Sequence, residues 1–105
     1  YASSWNFGPD YEDCKTVKWI VKEISERWAG DVKWAVEKHI QPHEAKLLKL
    51  DCSKAKKLLN WYPIWNLGET LDLVINWHRS WVENADMREI TLEQINNYKT
   101  KNEKN

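Results

Sequence analysis

The chain has 105 residues, enough for one domain or a part of one and too few for two. Its 16 basic and 16 acidic residues balance, which argues against a nucleic-acid or membrane-surface binder. It has no apolar run of the roughly 20 residues that cross a bilayer and no signal-peptide pattern, so we expect a cytoplasmic protein with reduced cysteines. The first residue is Tyr1 rather than Met, so we expect a piece of a longer protein.

The first predicted elements are a strand and a helix. Residues 5–7 suit a short strand that ends in the turn residues 8–10. Apolar residues then recur at helical spacing over residues 17–28. Asp13 is the predicted N-cap of this helix, and Gly30 is the residue predicted to end it.

Two further strands and a short helix are predicted next. Apolar and polar residues alternate over 32–36, and Leu47, Leu48 and Leu50 indicate another short strand. Ser53 is a candidate cap for a helix that continues to residue 59. Asn60 follows as a predicted left-handed terminator, since Asn tolerates that conformation better than other residues with a side chain.

The last part of the chain predicts two helices. Asn66 and Glu69 have the spacing of a capping box before a long helix, whose apolar stripe runs from residue 67 to residue 82. Thr91 and Gln94 repeat the capping-box spacing before the last helix. We therefore predict a small mixed α/β lobe over residues 1–99, with about three short strands and four helices, and a frayed polar tail at 100–105.

The residues do not form a complete active site. The three glycines are too far apart for a phosphate-binding fingerprint, and no activated serine is visible. His39, His43 and Glu44 lie close together, but Pro42 disfavours the helix on which two histidines at this spacing would bind zinc. We therefore expect neither a catalytic residue nor a metal site in this chain.

Eight tryptophans are the most unusual feature of the composition. Most of them share helical stripes with aliphatic residues, which favours a role in cores or interfaces over carbohydrate stacking. Trp61 and Trp65 flank Pro63 in a predicted extended link; they are better candidates for exposure and would equally suit packing against a neighbouring domain. His78 lies on an apolar helical face, where a hydrogen-bonded packing role is expected.

Motifs along nearly the whole chain carry a family resemblance. W-N-F-G-P-D at residues 5–10, P-H-E-A at 42–45 and L-K-L-D-C-S-K-A at 48–55 are the most specific, and further matches lie at 60–67, 86–88 and 91–95. With these motifs the chain resembles the CDP-glucose 4,6-dehydratases, which belong to the extended short-chain dehydrogenase/reductases. The resemblance implies a parent lyase that uses NAD to convert CDP-glucose into a 4-keto-6-deoxy sugar for polysaccharide biosynthesis.

The resemblance also implies which part of such an enzyme the chain represents. The NAD-binding and catalytic motifs of the family lie upstream of the region that this chain resembles. We therefore expect a C-terminal substrate-binding lobe that binds no cofactor alone. Its expected partners are CDP-glucose and an N-terminal NAD domain, in a homo-oligomeric parent.

Two site residues follow from the resemblance alone. In related sugar-nucleotide enzymes, the segment that matches residues 42–45 lies over the nucleotide. Glu44 takes the position of an acidic residue that binds ribose hydroxyls, and His43 is placed to approach the diphosphate. Gln41 stands near the position where many relatives outside the family carry an Arg, so phosphate binding is expected to depend on the missing domain.

Two alternatives remain open at this stage. A non-catalytic fragment that serves only as an interaction or structural module would carry the same apolar helical stripes. A stand-alone sugar-binding module would use exposed tryptophans instead of a nucleotide site.

Overall fold

The structure is a computed structural model that describes residues 1–28, 30, 32–35 and 49–104. These residues contain a 3₁₀ turn, Tyr11–Asp13, and four helices: α1 (Val17–Arg27), α2 (Ser53–Leu59), α3 (Leu67–Val82) and α4 (Met87–Lys104). The chain divides into two compact units, Tyr1–Pro63 and Ile64–Asn105. None of the described helices is both long and apolar enough to cross a membrane.

The predicted mixed α/β fold is wrong, because the described residues are helical and contain no β-strand. Residues 5–7 and the described parts of the other two predicted strands, 32–35 and 49–50, pair with no neighbouring strand. Alternation of apolar and polar residues produces a strand only where another strand supplies backbone partners. Residues 5–7 instead place their aromatic side chains against Lys54 and Trp61.

Helix α1 begins three residues later than its predicted cap implies. Thr16 is the N-cap, and its hydroxyl oxygen accepts a hydrogen bond from the Trp19 backbone N–H at 3.1 Å. Asp13, the predicted cap, belongs to the preceding 3₁₀ turn. Gly30 follows the helix as predicted, but its φ of +150° is not the left-handed helical value.

The predicted cap of helix α2 is wrong by one residue, because Cys52 is the N-cap. Ser53 is the first helical residue rather than the cap, and its backbone N–H donates to the Asp51 carboxylate at 2.9 Å. Ala55 on this helix has 0% of its surface exposed. Asn60 ends the helix in the left-handed conformation, with φ 51° and ψ 37°, so that prediction is confirmed.

Helix α3 begins with the predicted capping box. Asn66 Oδ1 accepts from the Glu69 backbone N–H at 2.8 Å, and Glu69 Oε2 accepts from the Asn66 backbone N–H at 2.9 Å. Glu69 Oε1 also accepts from Lys101 Nζ on α4 at 2.7 Å. The Lys101 ammonium, and next the Asn66 N–H, hold the pKa of Glu69 below its usual value.

Helix α4 begins earlier than its predicted capping box. The Asp86 carboxylate accepts from the backbone N–H groups of Arg88 and Glu89 at 3.1 and 3.3 Å. Thr91, a predicted cap, lies inside the helix, where its hydroxyl donates to the Met87 carbonyl. The helix continues through residues 100–104, the segment predicted as a polar tail.

The apolar stripe of α3 is buried over a narrower width than its sequence predicts. Helices α3 and α4 pack against each other, and Leu71 and Ile75 are the buried residues of α3, each 7% exposed. Five other residues of the predicted stripe lie at the surface: Val74, Trp77, His78, Trp81 and Val82. A helix buries only the face that another element covers, so the width of the sequence stripe overstates the described core.

Candidate functional site

The two residues predicted to bind the substrate, His43 and Glu44, lie outside the described residues, so their role stays a prediction. His39 and Gln41 lie outside them as well. Within the part of the chain that the structure describes, no three His, Cys, Asp or Glu side chains are grouped to hold a metal ion. The site is therefore built from the described residues on either side of the 42–45 segment in sequence.

Two of the sequence motifs meet in the first unit. We call this region the motif junction and define it as residues 3–10 together with residues 49–56. Asn6 Nδ2 donates to the Asp51 carbonyl at 3.3 Å, which joins the two motifs directly. Gly8 lies against Leu50, since a Cβ on this glycine would come within 3.3 Å of Leu50 Cδ1. The two motifs are therefore neighbours in space.

Lys54 ties the first residues of the chain to helix α2. Its ammonium group donates to the Ser3 hydroxyl at 2.7 Å and to the Ser4 carbonyl at 2.8 Å. The same group lies 4.3 Å from the centre of the Trp5 ring, within the range of a cation–π contact. These three contacts give Lys54 a structural role.

Lys56 forms the second polar link of the motif junction. Its ammonium group donates to Asp10 Oδ1 at 2.6 Å, and this hydrogen bond raises the pKa of Lys56. Ser53 binds the Asp51 carboxylate through its side chain and its backbone N–H, and both bonds lower the pKa of Asp51. Lys56 and Asp10 therefore form an ion pair, while the Asp51 carboxylate is bound by Ser53.

The cavity at the motif junction is too small for a substrate. Its volume is about 40 Å³, and it is lined mainly by residues of the motif junction, among them Pro9, Cys52 and Lys56. Pockets that bind small ligands measure about 300 to 1,000 Å³. The junction is therefore not itself a substrate pocket.

A second, larger concavity lies in the second unit. We call it the aromatic groove; it has a volume of about 250 Å³ and is lined by Trp65, Trp77, Thr91, Gln94, Ile95 and Tyr98. Trp77 Nε1 donates to the Thr91 hydroxyl at 3.0 Å, and Gln94 Nε2 donates to the Leu73 carbonyl at 2.9 Å. Sequence reasoning missed this groove, although the spacing of Thr91, Gln94 and Tyr98 marks one face of a helix.

The tryptophans predicted to be exposed are half-buried. Trp61 packs edge-on against Phe7 with ring centres 5.0 Å apart, and Trp65 packs edge-on against Tyr98 at 5.1 Å. Trp77 and Trp81 on α3 are exposed instead. His78, predicted as a packing residue, is exposed and stacks at a tilt on Trp81 at 5.6 Å.

The described residues do not fit a dinucleotide cofactor. A dinucleotide site requires a strand, a Gly-rich turn and a helix whose first N–H groups face the pyrophosphate. None of the described helices follows a strand, and Gly8, Gly30 and Gly68 belong to separate segments. No step that uses NAD can therefore be assigned to the residues that the structure describes.

Comparison with known proteins agrees with the motifs that meet at the junction. The chain is 43% identical over 98 residues to CDP-glucose 4,6-dehydratase from Salmonella typhimurium strain LT2. The chain is similar to CDP-glucose 4,6-dehydratase. The resemblance predicted from the motifs is thereby confirmed, and the chain is a region related to a sugar-nucleotide dehydratase.

The match to CDP-glucose 4,6-dehydratase covers 93% of this chain but only 27% of the relative, so the chain spans about a quarter of that enzyme's length. A UDP-glucuronate 4-epimerase from Thermodesulfobacterium geofontis is 41% identical over 63 residues, which are 58% of this chain and 19% of the epimerase. No protein-family model matches the chain. Both relatives are named for sugar nucleotides.

Proposed function

We propose that this chain is the substrate-binding, C-terminal lobe of a CDP-glucose 4,6-dehydratase and has no dehydratase activity on its own. The observation that carries the proposal is the 43% identity over 98 residues to that enzyme. Because the match extends over 93% of the chain, the proposal concerns the whole chain and not one motif. NAD is proposed to bind to another part of the parent, a cytosolic lyase in polysaccharide biosynthesis.

Glu44 is proposed to bind the ribose of the nucleotide. An ionised carboxylate has two acceptor oxygens, and two neighbouring hydroxyl groups are the donors that match them. His43 is proposed to approach the diphosphate, whose negative charge favours the protonated imidazole. Both residues lie in the P-H-E-A motif, which precedes the motif junction in sequence.

The motif junction supports this proposal through its polar contacts. Two lysines fix α2 to the first residues of the chain, with donor–acceptor distances of 2.6 to 2.8 Å. A binding residue on a loop is effective only when the elements beside the loop hold their positions. The junction is proposed to give residue 49 and those that follow it such a fixed position.

The proposal is tested by an amide ¹H–¹⁵N titration of the full chain with CDP-glucose and, separately, with glucose. We expect shifts for the amides of residues 43 and 44 with CDP-glucose only. Glu44→Gln should abolish them, whereas Glu93→Gln, at an exposed position on α4, should leave them unchanged. Equal shifts with glucose would argue against a nucleotide site.

A second candidate function is a sugar-binding module that uses tryptophan rings. The aromatic groove favours it, because Trp65 and Trp77 both line a concave surface. Glucose alone would then shift the indole N–H signals of these two tryptophans. Such shifts without any effect of the nucleotide would favour this candidate over the dehydratase lobe.

A further inference from the structure

Several large apolar side chains on α3 and α4 are exposed. Val74, Trp77 and Trp81 lie three and four residues apart on α3, so they share one face of the helix. Their exposed fractions are 54%, 37% and 57%. Ile95 on α4 is also exposed and lines the aromatic groove together with Trp77. We call these four residues the docking face.

The docking face has the composition of a protein–protein contact. Aromatic residues, and tryptophan above all, are enriched at the centres of such interfaces, whereas a stable monomer seldom exposes a large contiguous apolar patch. The polar atoms beside the face are already bound, since the Trp77 indole N–H donates to Thr91 and the Thr91 hydroxyl donates to Met87. Covering this part of the face therefore leaves neither group without a partner.

The comparison with CDP-glucose 4,6-dehydratase indicates what covers the face. The chain corresponds to 27% of that enzyme, so the remaining 73% of the relative has no counterpart in this chain. We propose that the docking face packs against that remaining part of a CDP-glucose 4,6-dehydratase. This inference rests on the proposed function and adds to it the surface that joins the lobe to its parent.

A small ligand is a poorer match for the same surface. The aromatic groove holds about 250 Å³, whereas pockets that bury a ligand measure about 300 to 1,000 Å³. Val74 and Trp81 of the docking face do not line the groove. A ligand in the groove would therefore leave Val74 and Trp81 uncovered, whereas a protein surface can cover all four residues.

The test uses a hybrid enzyme in which this chain replaces the aligned stretch of the Salmonella typhimurium enzyme. Hydroxyl-radical labelling with mass spectrometry compares Trp81 in the hybrid enzyme and in the 105-residue chain. We expect Trp81 to be labelled severalfold more slowly in the hybrid enzyme. Trp81→Glu should lower the unfolding temperature of the hybrid enzyme and leave that of the chain unchanged.

Asn96→Glu is the matched control, because Asn96 lies on α4 on the side away from the groove residues and is exposed. It should change neither unfolding temperature. A folded hybrid enzyme in which Trp81 is labelled as fast as in the chain overturns the inference. An insoluble hybrid enzyme also overturns the inference. A 105-residue chain that sediments as a dimer with Trp81 already protected overturns it as well.

The proposed function has separate outcomes in the same experiment. A folded hybrid enzyme with Trp81 protected but no activity supports the docking face and counts against the dehydratase proposal. An active hybrid enzyme with Trp81 still labelled rapidly supports the dehydratase proposal and counts against the docking face. If the hybrid enzyme is insoluble, the CDP-glucose titration of the chain still decides the proposed function.

Discussion

Ile75→Ala is the substitution that tests the described helical core most sharply. Ile75 is 7% exposed on α3, and Ala lacks three of its side-chain carbon atoms. At about 0.8 kcal/mol for each buried carbon, the loss of burial costs about 2.4 kcal/mol. Ala is the better helix former by about 0.4 kcal/mol, so we expect a net loss of about 2 kcal/mol in the free energy of unfolding.

The adjacent residue provides the control. Val74 is 54% exposed, so Val74→Ala removes two carbon atoms that are buried to less than half. Its loss of burial is about 0.7 kcal/mol, which the higher helix propensity of Ala nearly offsets. We therefore expect Val74→Ala to change the free energy of unfolding by less than about 0.5 kcal/mol.

The assay is urea unfolding followed by circular dichroism in the far ultraviolet. The slope of the unfolding free energy against urea concentration must be the same for all variants. A small helical unit has a stability of only a few kcal/mol, so the loss of about 2 kcal/mol in Ile75→Ala should shift the urea midpoint markedly downward. Equal effects of the two substitutions would refute the packing described for α3 and α4.

Three further predictions concern helix ends and pH. Asn66→Ala removes the N-cap acceptor of α3 and should cost about 1 kcal/mol in urea unfolding, whereas Asn66→Asp should cost much less. Because the pKa of Glu69 is lowered in the folded chain, its stabilising effect is present above the unfolded pKa of about 4.3 and is lost as the pH falls through the lower, folded pKa. Glu69→Gln should therefore flatten the acid side of a thermal-unfolding profile against pH, and Glu93→Gln, at an exposed position, should not. At Asn60, where φ is 51°, Gly should be tolerated and Ala should cost about 1 kcal/mol; equal stability of the two variants would contradict the left-handed conformation.

Helix ends could be predicted where one residue decides the local geometry. Asn66 with Glu69 and the left-handed Asn60 were found from sequence because caps and terminators depend on neighbours within a few residues. The cap of α1 was misassigned to Asp13 since Thr16 has the same chemistry three residues later. Where two capping residues stand close together, propensity alone does not choose between them.

Strands and burial could not be predicted, because both depend on distant partners. The alternating residues at 32–35 would form a strand only beside another strand, and none lies in the described parts of the chain. The width of the apolar stripe on α3 likewise does not tell which residues α4 covers. Trp77 and Trp81 were expected in the core and are exposed for this reason.

The candidate site could likewise be predicted only in part from the sequence. The motifs predicted the resemblance to CDP-glucose 4,6-dehydratase, which the 43% identity confirms. They did not predict that Lys54 and Lys56 join α2 to the start of the chain, because those contacts span 46 to 51 residues in sequence. Glu44 and His43 remain predictions from the resemblance.

The central claim is that Glu44 binds the nucleotide sugar in this lobe, and the hybrid enzyme tests it most directly. The measurement is the KM and kcat of the hybrid enzyme for CDP-glucose, with Glu44→Gln compared with Glu93→Gln. Losing a charge-assisted contact to ribose should raise KM by about tenfold and leave kcat nearly unchanged, because the contact is made equally in the ground and transition states. Glu93→Gln should change neither constant. An active hybrid enzyme whose KM is the same with Glu and with Gln at position 44 would contradict the claim.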